Sequence, residues 1–246
     1  MYHLIFIFGM IMGSFLNLVA NRKLRGISII APPSHCMYCN KRLKIYSLIP
    51  IFSYIFQRGR CSFCNKKIPF DVFISELIVP VAYVIGLYNL GPSLLTIEYM
   101  VIFSVLYILV LTDLNSNTIY DSHLIVLFIM AGAALFYKFI IGEFNPVVGI
   151  MQMLLFLLFL KFRRLENTPI GEGDLLVFIS LLSFFDFLNG IMLIFMSFWA
   201  AALYIPVLIF KGAGRKNKIA FLPFILASYF LIVNYGNAIL KLMRWI

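Results

Sequence analysis

Four cysteines form two Cys-x2-Cys pairs, Cys36/Cys39 and Cys61/Cys64, with 21 residues between the pairs. In each pair an aromatic residue precedes the second cysteine, and Asn, Lys and another basic residue follow it. Four thiolates suit the closed tetrahedral coordination of structural Zn²⁺, which leaves no position open for catalysis. The alternatives are two disulfides or free thiols, and the reducing cytoplasm that the charge pattern indicates for this loop disfavours disulfides. The pattern therefore predicts a structural zinc site whose metal supplies folding energy to the loop.

Two aspartates adjoin apolar stretches. Asp113 follows the third stretch, and Asp174 opens the sixth as the last residue of Gly171-Glu172-Gly173-Asp174. Two spans separate them, one leaving and one returning, so topology alone brings both carboxylates to one membrane face. Two carboxylates that meet there share a proton, and one acts as general base and the other as general acid on a water molecule. The alternative for each aspartate is a helix N-cap or a polar loop anchor.

The amino-acid composition indicates the class of protein in which these cysteines and aspartates lie. Hydrophobic residues make up 63% and charged residues 12% of the 246 residues, against about 45–50% and 25% in soluble domains. This excludes a water-soluble globule, a disordered tail and a fibrous repeat, and it predicts an all-α polytopic membrane protein with about eight transmembrane helices and a small cytoplasmic zinc-knuckle loop domain. The apolar stretches are 2–20, 72–89, 96–112, 122–141, 146–161, 174–188, 191–210 and 219–240.

The charge distribution predicts the orientation. Segment 21–70 carries ten Lys and Arg residues and no acid, and the positive-inside rule places it in the cytoplasm and the N-terminus outside. Nucleic-acid binding explains such a patch less well in so apolar a chain. The later inside loops then fall near 113–121, 162–173 and 211–218, which places 17 of the 20 basic residues inside. The first stretch lacks a basic n-region and a cleavage site, so we expect it to be retained as a span.

The stretch 174–210 is too long for one helix. Asp186, Asn189 and Gly190 predict its turn, which leaves the sixth span short, at about 15 residues, a length below that of a full span.

Further short motifs run through nearly the whole chain in order. They are Gly13-Ser14-Phe15-Leu16-Asn17, Pro32-Pro33-Ser34-His35-Cys36, Ile49-Pro50, Arg58-Gly59-Arg60-Cys61, Ile68-Pro69, Glu76-Leu77, Asp113 with Ile119-Tyr120-Asp121, Gly171-Glu172-Gly173-Asp174 and Pro223-Phe224. Together with the cysteines they resemble the type IV prepilin peptidase family. The chain departs from that family's usual residues at Tyr120, Leu176 and Leu222, where Pro, Lys and Gly are common, and these changes leave both aspartates and all cysteines in place.

The resemblance implies an intramembrane aspartic protease of the bacterial cytoplasmic membrane. Its substrates would be type IV prepilins or pilin-like precursors of competence or secretion systems, cut after a Gly where a basic leader meets an apolar helix at the cytoplasmic face. Asp113 and Asp174 would be catalytic, with Asp121 as the competing choice for the first acid. Gly171, Glu172 and Gly173 are the candidates for contact with the substrate.

The resemblance also implies N-methylation of the new N-terminus with S-adenosylmethionine. This activity is associated with the N-terminal part, here 1–95 with the first two spans and the cysteine loop, whereas 96–246 would be the six-span peptidase part. Two rival functions remain: a transporter that uses both aspartates as a proton relay, and an assembly protein that docks partners through the basic zinc loop. Membrane lipid and the precursor are the expected partners, and nucleic acid is not.

Overall fold

The computed structural model describes residues 1–116, 120–162, 171–210 and 219–243. These residues are mainly helical, which confirms the all-α fold class. Their helices are α1 (Tyr2–Leu24), α2 (Phe52–Phe56), α3 (Phe70–Leu90), α4 (Leu94–Ser116), α5 (Asp121–Ile140), α6 (Pro146–Phe162), α7 (Glu172–Leu182), α8 (Phe187–Phe210) and α9 (Leu222–Met243). A 3₁₀ turn at Ile45–Leu48 precedes α2.

Six of the helices in the described ranges are long and apolar enough to cross a membrane, namely α1, α3, α4, α5, α8 and α9. The polytopic architecture is therefore confirmed, with fewer full-length spans than the eight predicted. The apolar part of α6 is the shorter segment Pro146–Lys161. The 11 residues of α7 extend about 17 Å at a rise of 1.5 Å per residue, roughly half of the ~30 Å hydrocarbon core. Hence α7 does not cross the bilayer by itself.

The chain divides into two compact units, Met1–Thr112 and Asp113–Ile246. In the first unit, α1 packs closely on α3 because two glycines face α3 one helical turn apart. A Cβ at Gly9 would lie 2.5 Å from Pro80 Cα, and one at Gly13 would lie 2.3 Å from Ser75 O. Small residues spaced by four allow the backbones of membrane helices to approach closely.

A buried polar network continues this α1–α3 contact. Asn17 donates from Nδ2 to Ser75 Oγ at 3.0 Å and to Asp71 Oδ2 at 3.3 Å. Asn21 donates to Asn17 Oδ1 at 2.8 Å, and the Tyr107 hydroxyl of α4 donates to Ser75 Oγ at 3.0 Å. Since a polar group without a partner is costly inside a membrane, this network determines which faces of the helices meet.

The second unit holds α7 against both α5 and α6. Gln152 of α6 donates to Ile179 O at 3.0 Å and to Ser183 Oγ at 2.8 Å, and Lys138 at the end of α5 donates to Phe185 O at 3.2 Å. The turn before α8 spans 183–186, slightly earlier than predicted. Asn189 lies inside α8 and donates to Asp186 Oδ1 at 2.7 Å.

The start of α9 is held by aromatic side chains from two other helices. The Phe221 ring lies 5.1 Å from the ring of Phe198 in α8 and 6.1 Å from that of Phe178 in α7. Pro223 stands in the first turn of α9, where a missing N–H costs no helical hydrogen bond. These contacts set the position of the first N–H groups of α9.

Candidate catalytic and metal sites

The two cysteine pairs occupy nearly identical turns. In the first, Cys36 N–H donates to Lys41 O at 3.0 Å and Asn40 N–H donates to Cys36 O at 2.9 Å. In the second, Cys61 and Asn65 make the corresponding bonds, both at 2.9 Å. Asn40 and Asn65 have φ of 54° and 60°, in the left-handed region that Asn tolerates better than most residues. The internal repeat in the sequence is thus a repeat of structure.

The four cysteine sulfurs converge. Cys36 and Cys64 Sγ are 3.8 Å apart, and all four sulfurs lie within 4.8 Å of one another. Four thiolates at about 2.3 Å from a tetrahedral zinc ion would be about 3.8 Å apart. The N–H groups of Tyr38 and Phe63 point at Cys36 and Cys61 Sγ, each at 3.5 Å. All four cysteines are free thiols, and their convergence fits one metal ion bound by all four sulfurs.

The cysteine loop is attached to α3 through Glu76. This side chain is 4% exposed, and it accepts hydrogen bonds from the backbone N–H of Ile51 and from Ser14 of α1. Ile51 has φ of 63°, a strained conformation for a β-branched residue, and the bond to Glu76 helps to hold it. Glu76 therefore joins α1, α3 and the loop at one point.

A cavity of about 210 Å³ lies in the first unit between α1, α3 and the cysteine loop. Asn17 and Glu76 line it, and both are buried, at 2% and 4% exposure. Arg25 and Lys67 also line it and are exposed to solvent. Glu76 is the single acid lining this cavity within the described residues. The cavity thus combines one buried carboxylate with cationic side chains toward the solvent.

Asp113 lies in the last turn of α4 and is 7% exposed. Its Oδ2 accepts a hydrogen bond from the backbone N–H of Leu222 at 3.2 Å. Leu222 is the first residue of α9, where N–H groups have no partner inside the helix and carry partial positive charge. The carboxylate is therefore held as an acceptor at the start of another helix.

Asp174 lies in the first turn of α7 and is 8% exposed. Burial and the neighbouring carboxylate of Asp113 raise the pKa of Asp174 to about 7. A Cβ at Gly171, just before the helix, would lie 2.8 Å from Asp174 Oδ2, so any side chain there would displace this carboxyl group. The Asp113 carboxylate lies near enough to Asp174 to act on it electrostatically.

The other candidates lie elsewhere. Asp121 is exposed at the start of α5, and Glu172 is exposed one residue after Gly171. Gly173 is half-buried beside Asp174. Ile119 and the greater part of the predicted inside loops 162–173 and 211–218 lie outside the described residues.

Sequence reasoning missed the backbone of Leu222 as a partner of Asp113. An aliphatic side chain carries no sign of this role, because the donor is the main-chain N–H. The available signal was Pro223, since proline in the first turn predicts a helix start at that point.

Comparison with known proteins gives the family context. A model of the bacterial peptidase A24 N-terminal domain matches residues 7–90. The chain is 29% identical over 246 residues to a prepilin leader peptidase/N-methyltransferase of Bacillus subtilis strain 168, covering 98% of this chain and 97% of that protein. Proteins with the same name from Aeromonas hydrophila and Myxococcus xanthus strain DK1622 are 24% identical over 276 residues and 28% over 225 residues. Those alignments cover 99% and 87% of this chain and 93% and 65% of the relatives. No solved structure gives a significant match.

The alignment to the Bacillus subtilis protein covers nearly the whole of both chains. The resemblance seen in the sequence is thus confirmed: the chain is similar to proteins named prepilin leader peptidase/N-methyltransferase, and its residues 7–90 match the bacterial peptidase A24 N-terminal domain.

Proposed function

We propose that the protein is an intramembrane aspartic endopeptidase that cuts prepilin-like precursors. The observation that carries this proposal is the pair of buried carboxyl groups, Asp113 and Asp174, in one helical unit. The names of the relatives support the substrate class. The ten basic residues of segment 21–70 support a cytoplasmic location for the cysteine loop.

The geometry suggests separate roles for the two acids. Asp174, whose pKa is raised to about 7, holds the shared proton near neutral pH and is the general acid. Asp113 accepts the Leu222 N–H, keeps its carboxylate as an acceptor and is the general base. The base takes a proton from water as the water oxygen bonds to the scissile carbonyl carbon, and the acid protonates the carbonyl oxygen. The C–N bond then breaks as Asp113 protonates the leaving nitrogen, and Asp174 takes a proton back from a hydroxyl of the tetrahedral intermediate, which leaves a carboxylic acid and restores both groups.

The substrate would present the junction between a basic leader and an apolar helix. Asp174 begins a short helix, so its carboxyl group lies at an end of the apolar segment where such a junction would be. Cleavage after a small residue such as Gly is consistent with a buried site, because a small residue lets the peptide backbone approach the acids closely. Glu172, exposed two residues before Asp174, is a candidate contact for the basic leader.

We also propose N-methyl transfer in the N-terminal part, because the relatives carry that activity in their names. The cavity between α1, α3 and the cysteine loop fits a sulfonium methyl donor such as S-adenosylmethionine. Glu76 would face the cationic centre, and Arg25 and Lys67 would face the carboxylate of the donor. When bound, the donor would supply the methyl group for the new N-terminal amine.

Zn²⁺ is the proposed metal of Cys36, Cys39, Cys61 and Cys64. With four thiolates its coordination is complete, so its contribution is structural. It would link the turn at Cys36–Cys39 to the turn at Cys61–Cys64 within the cysteine loop. The positive charge of the neighbouring Lys and Arg residues would offset the negative charge of the four-thiolate site.

The test is a co-expression cleavage assay with a prepilin that carries a basic leader and a Gly-Phe junction. The mature N-terminus is read by mass spectrometry for wild type, Asp113→Asn, Asp174→Asn and Asp121→Asn. We expect cleavage by wild type and by Asp121→Asn, which changes an exposed acid in the same way. We expect none from the other two, at unchanged membrane insertion.

Cleavage retained in Asp113→Asn or Asp174→Asn would remove that residue from the mechanism. Loss of cleavage in Asp121→Asn alone would transfer the role of the first acid to that residue. No cleavage of several precursors by inserted wild-type protein would contradict the peptidase proposal and would direct the next test to ion flux.

A further inference from the structure

Segment 45–56 of the cysteine loop is an apolar surface without any charged residue, Ile-Tyr-Ser-Leu-Ile-Pro-Ile-Phe-Ser-Tyr-Ile-Phe. Most of its large side chains are exposed to solvent. Ile45 is 86% and Phe56 81% exposed, and Ile55 and Phe52 are 57% and 52% exposed. Loops of soluble domains rarely expose a contiguous apolar patch of this kind, and where one occurs it marks an interaction surface.

The position of this segment along α3 indicates what covers it. The N–H of Ile51 donates to Glu76, six residues after the start of α3 at Phe70. At 1.5 Å per residue, that point lies about 9 Å along the helix axis. The Tyr54 ring stacks on Phe73 at 4.8 Å and meets Phe70 edge-on at 6.4 Å. Segment 45–56 therefore lies beside the first two turns of a helix that is long and apolar enough to span the membrane.

The charged residues that flank segment 45–56 also fit a position at the membrane surface. Exposed basic residues flank it on both sides, with Lys41, Arg42 and Lys44 before it and Arg58 and Arg60 after it. Polypeptides that lie in a membrane interface bury their apolar face about 5–10 Å below the headgroups and place Lys and Arg at the level of anionic phosphates. The position of the segment beside the first turns of α3 and the order of apolar and basic residues both fit this arrangement.

We propose that segment 45–56 is a membrane-interface anchor that inserts into a leaflet rich in anionic lipid. The exposed side chains of Ile45, Phe52, Ile55 and Phe56 enter the acyl boundary, and the flanking basic residues bind lipid phosphates. The anchor holds the cysteine loop flat on the bilayer at the level where α3 enters it. This surface is independent of the proposed peptidase site, and its test needs no substrate.

The test measures depth with the full chain in nanodiscs. Trp199 and Trp245 are replaced by Phe, and a single tryptophan is introduced as Phe56→Trp, Ile45→Trp or Arg42→Trp. The lipids are phosphatidylcholine and phosphatidylglycerol brominated on the acyl chains, which quench only a nearby indole. Circular dichroism and thermal melting report whether each variant is folded.

We expect bromolipid to quench Phe56→Trp and Ile45→Trp about twofold or more above Arg42→Trp, which replaces a charged side chain of the same loop. Quenching should fall when phosphatidylglycerol is omitted or when salt is raised. Equal quenching at all three positions would overturn the anchor. Quenching that does not respond to anionic lipid or to salt would overturn the part assigned to the basic residues.

Discussion

Replacing Gly13 by Ala should separate α1 from α3. The new Cβ would lie 2.3 Å from Ser75 O and 2.8 Å from the Ser75 carbonyl carbon. Both are backbone atoms of a helix, so no side chain can rotate away. Ordinary contact begins at 3.4 Å, so the helices must move apart by about 1 Å.

The expected cost follows from this displacement. Overpacking a tight contact costs about 1–3 kcal/mol, and the movement also stretches the 3.0 Å bond from Asn17 to Ser75. Ala gains up to about 1 kcal/mol over Gly in helix propensity, which offsets part of the loss. The net expectation is a free energy of unfolding lower by about 1–2 kcal/mol.

Gly132→Ala is the matched control. It makes the same change in the middle of α5, where a Cβ would have no atom within 4 Å. Only the propensity gain remains there, so the variant should be as stable as wild type or slightly more stable. The two free energies of unfolding are compared by reversible SDS titration in mixed micelles, followed by circular dichroism. If Gly13→Ala is as stable as Gly132→Ala, the close α1–α3 contact is wrong.

Three further predictions concern the proposed sites. Leu222→Pro removes the N–H that donates to Asp113, and a bond to a charged group contributes about 1.5–3 kcal/mol. Cleavage should therefore slow by about 10- to 100-fold, whereas Leu222→Ala keeps the donor and should cleave normally; equal rates would contradict this role. Because the pKa of Asp174 is about 7, the proton that the general acid needs is present below that pH and is lost above it. The cleavage rate should fall as pH rises through about 7, and a rate that rises there would reverse the assigned roles. Structural zinc supplies folding energy, so its removal by a chelator, or the substitution Cys61→Ser, should lower the melting temperature of the protein. Segment 21–70 should then be cut more readily by added protease. A stable wild-type protein in which metal analysis finds no zinc would refute this prediction.

The sequence was sufficient for those features that depend on local pattern. The apolar stretches predicted the helices, because each membrane helix satisfies its backbone hydrogen bonds within its own segment. The cysteine spacing and the asparagines after Cys39 and Cys64 predicted two equivalent turns, because ligand spacing and left-handed backbone are short-range properties. The parity of the spans predicts that Asp113 and Asp174 share one membrane face, and in the structure the Asp113 carboxylate acts on the pKa of Asp174.

Only the tertiary structure decided the features that depend on contacts between distant segments. It placed the N–H of Leu222 on Asp113 across 109 residues of chain, a contact that no side-chain pattern predicts because the donor is backbone. The helix in the sixth apolar stretch, α7, has only 11 residues and packs against α5 and α6. The tertiary structure also set the buried acid Glu76 against Ile51, and so placed an apolar loop segment beside a spanning helix. Hydropathy and spacing report what each segment prefers, whereas the partner of a buried polar group is determined by how the helices pack.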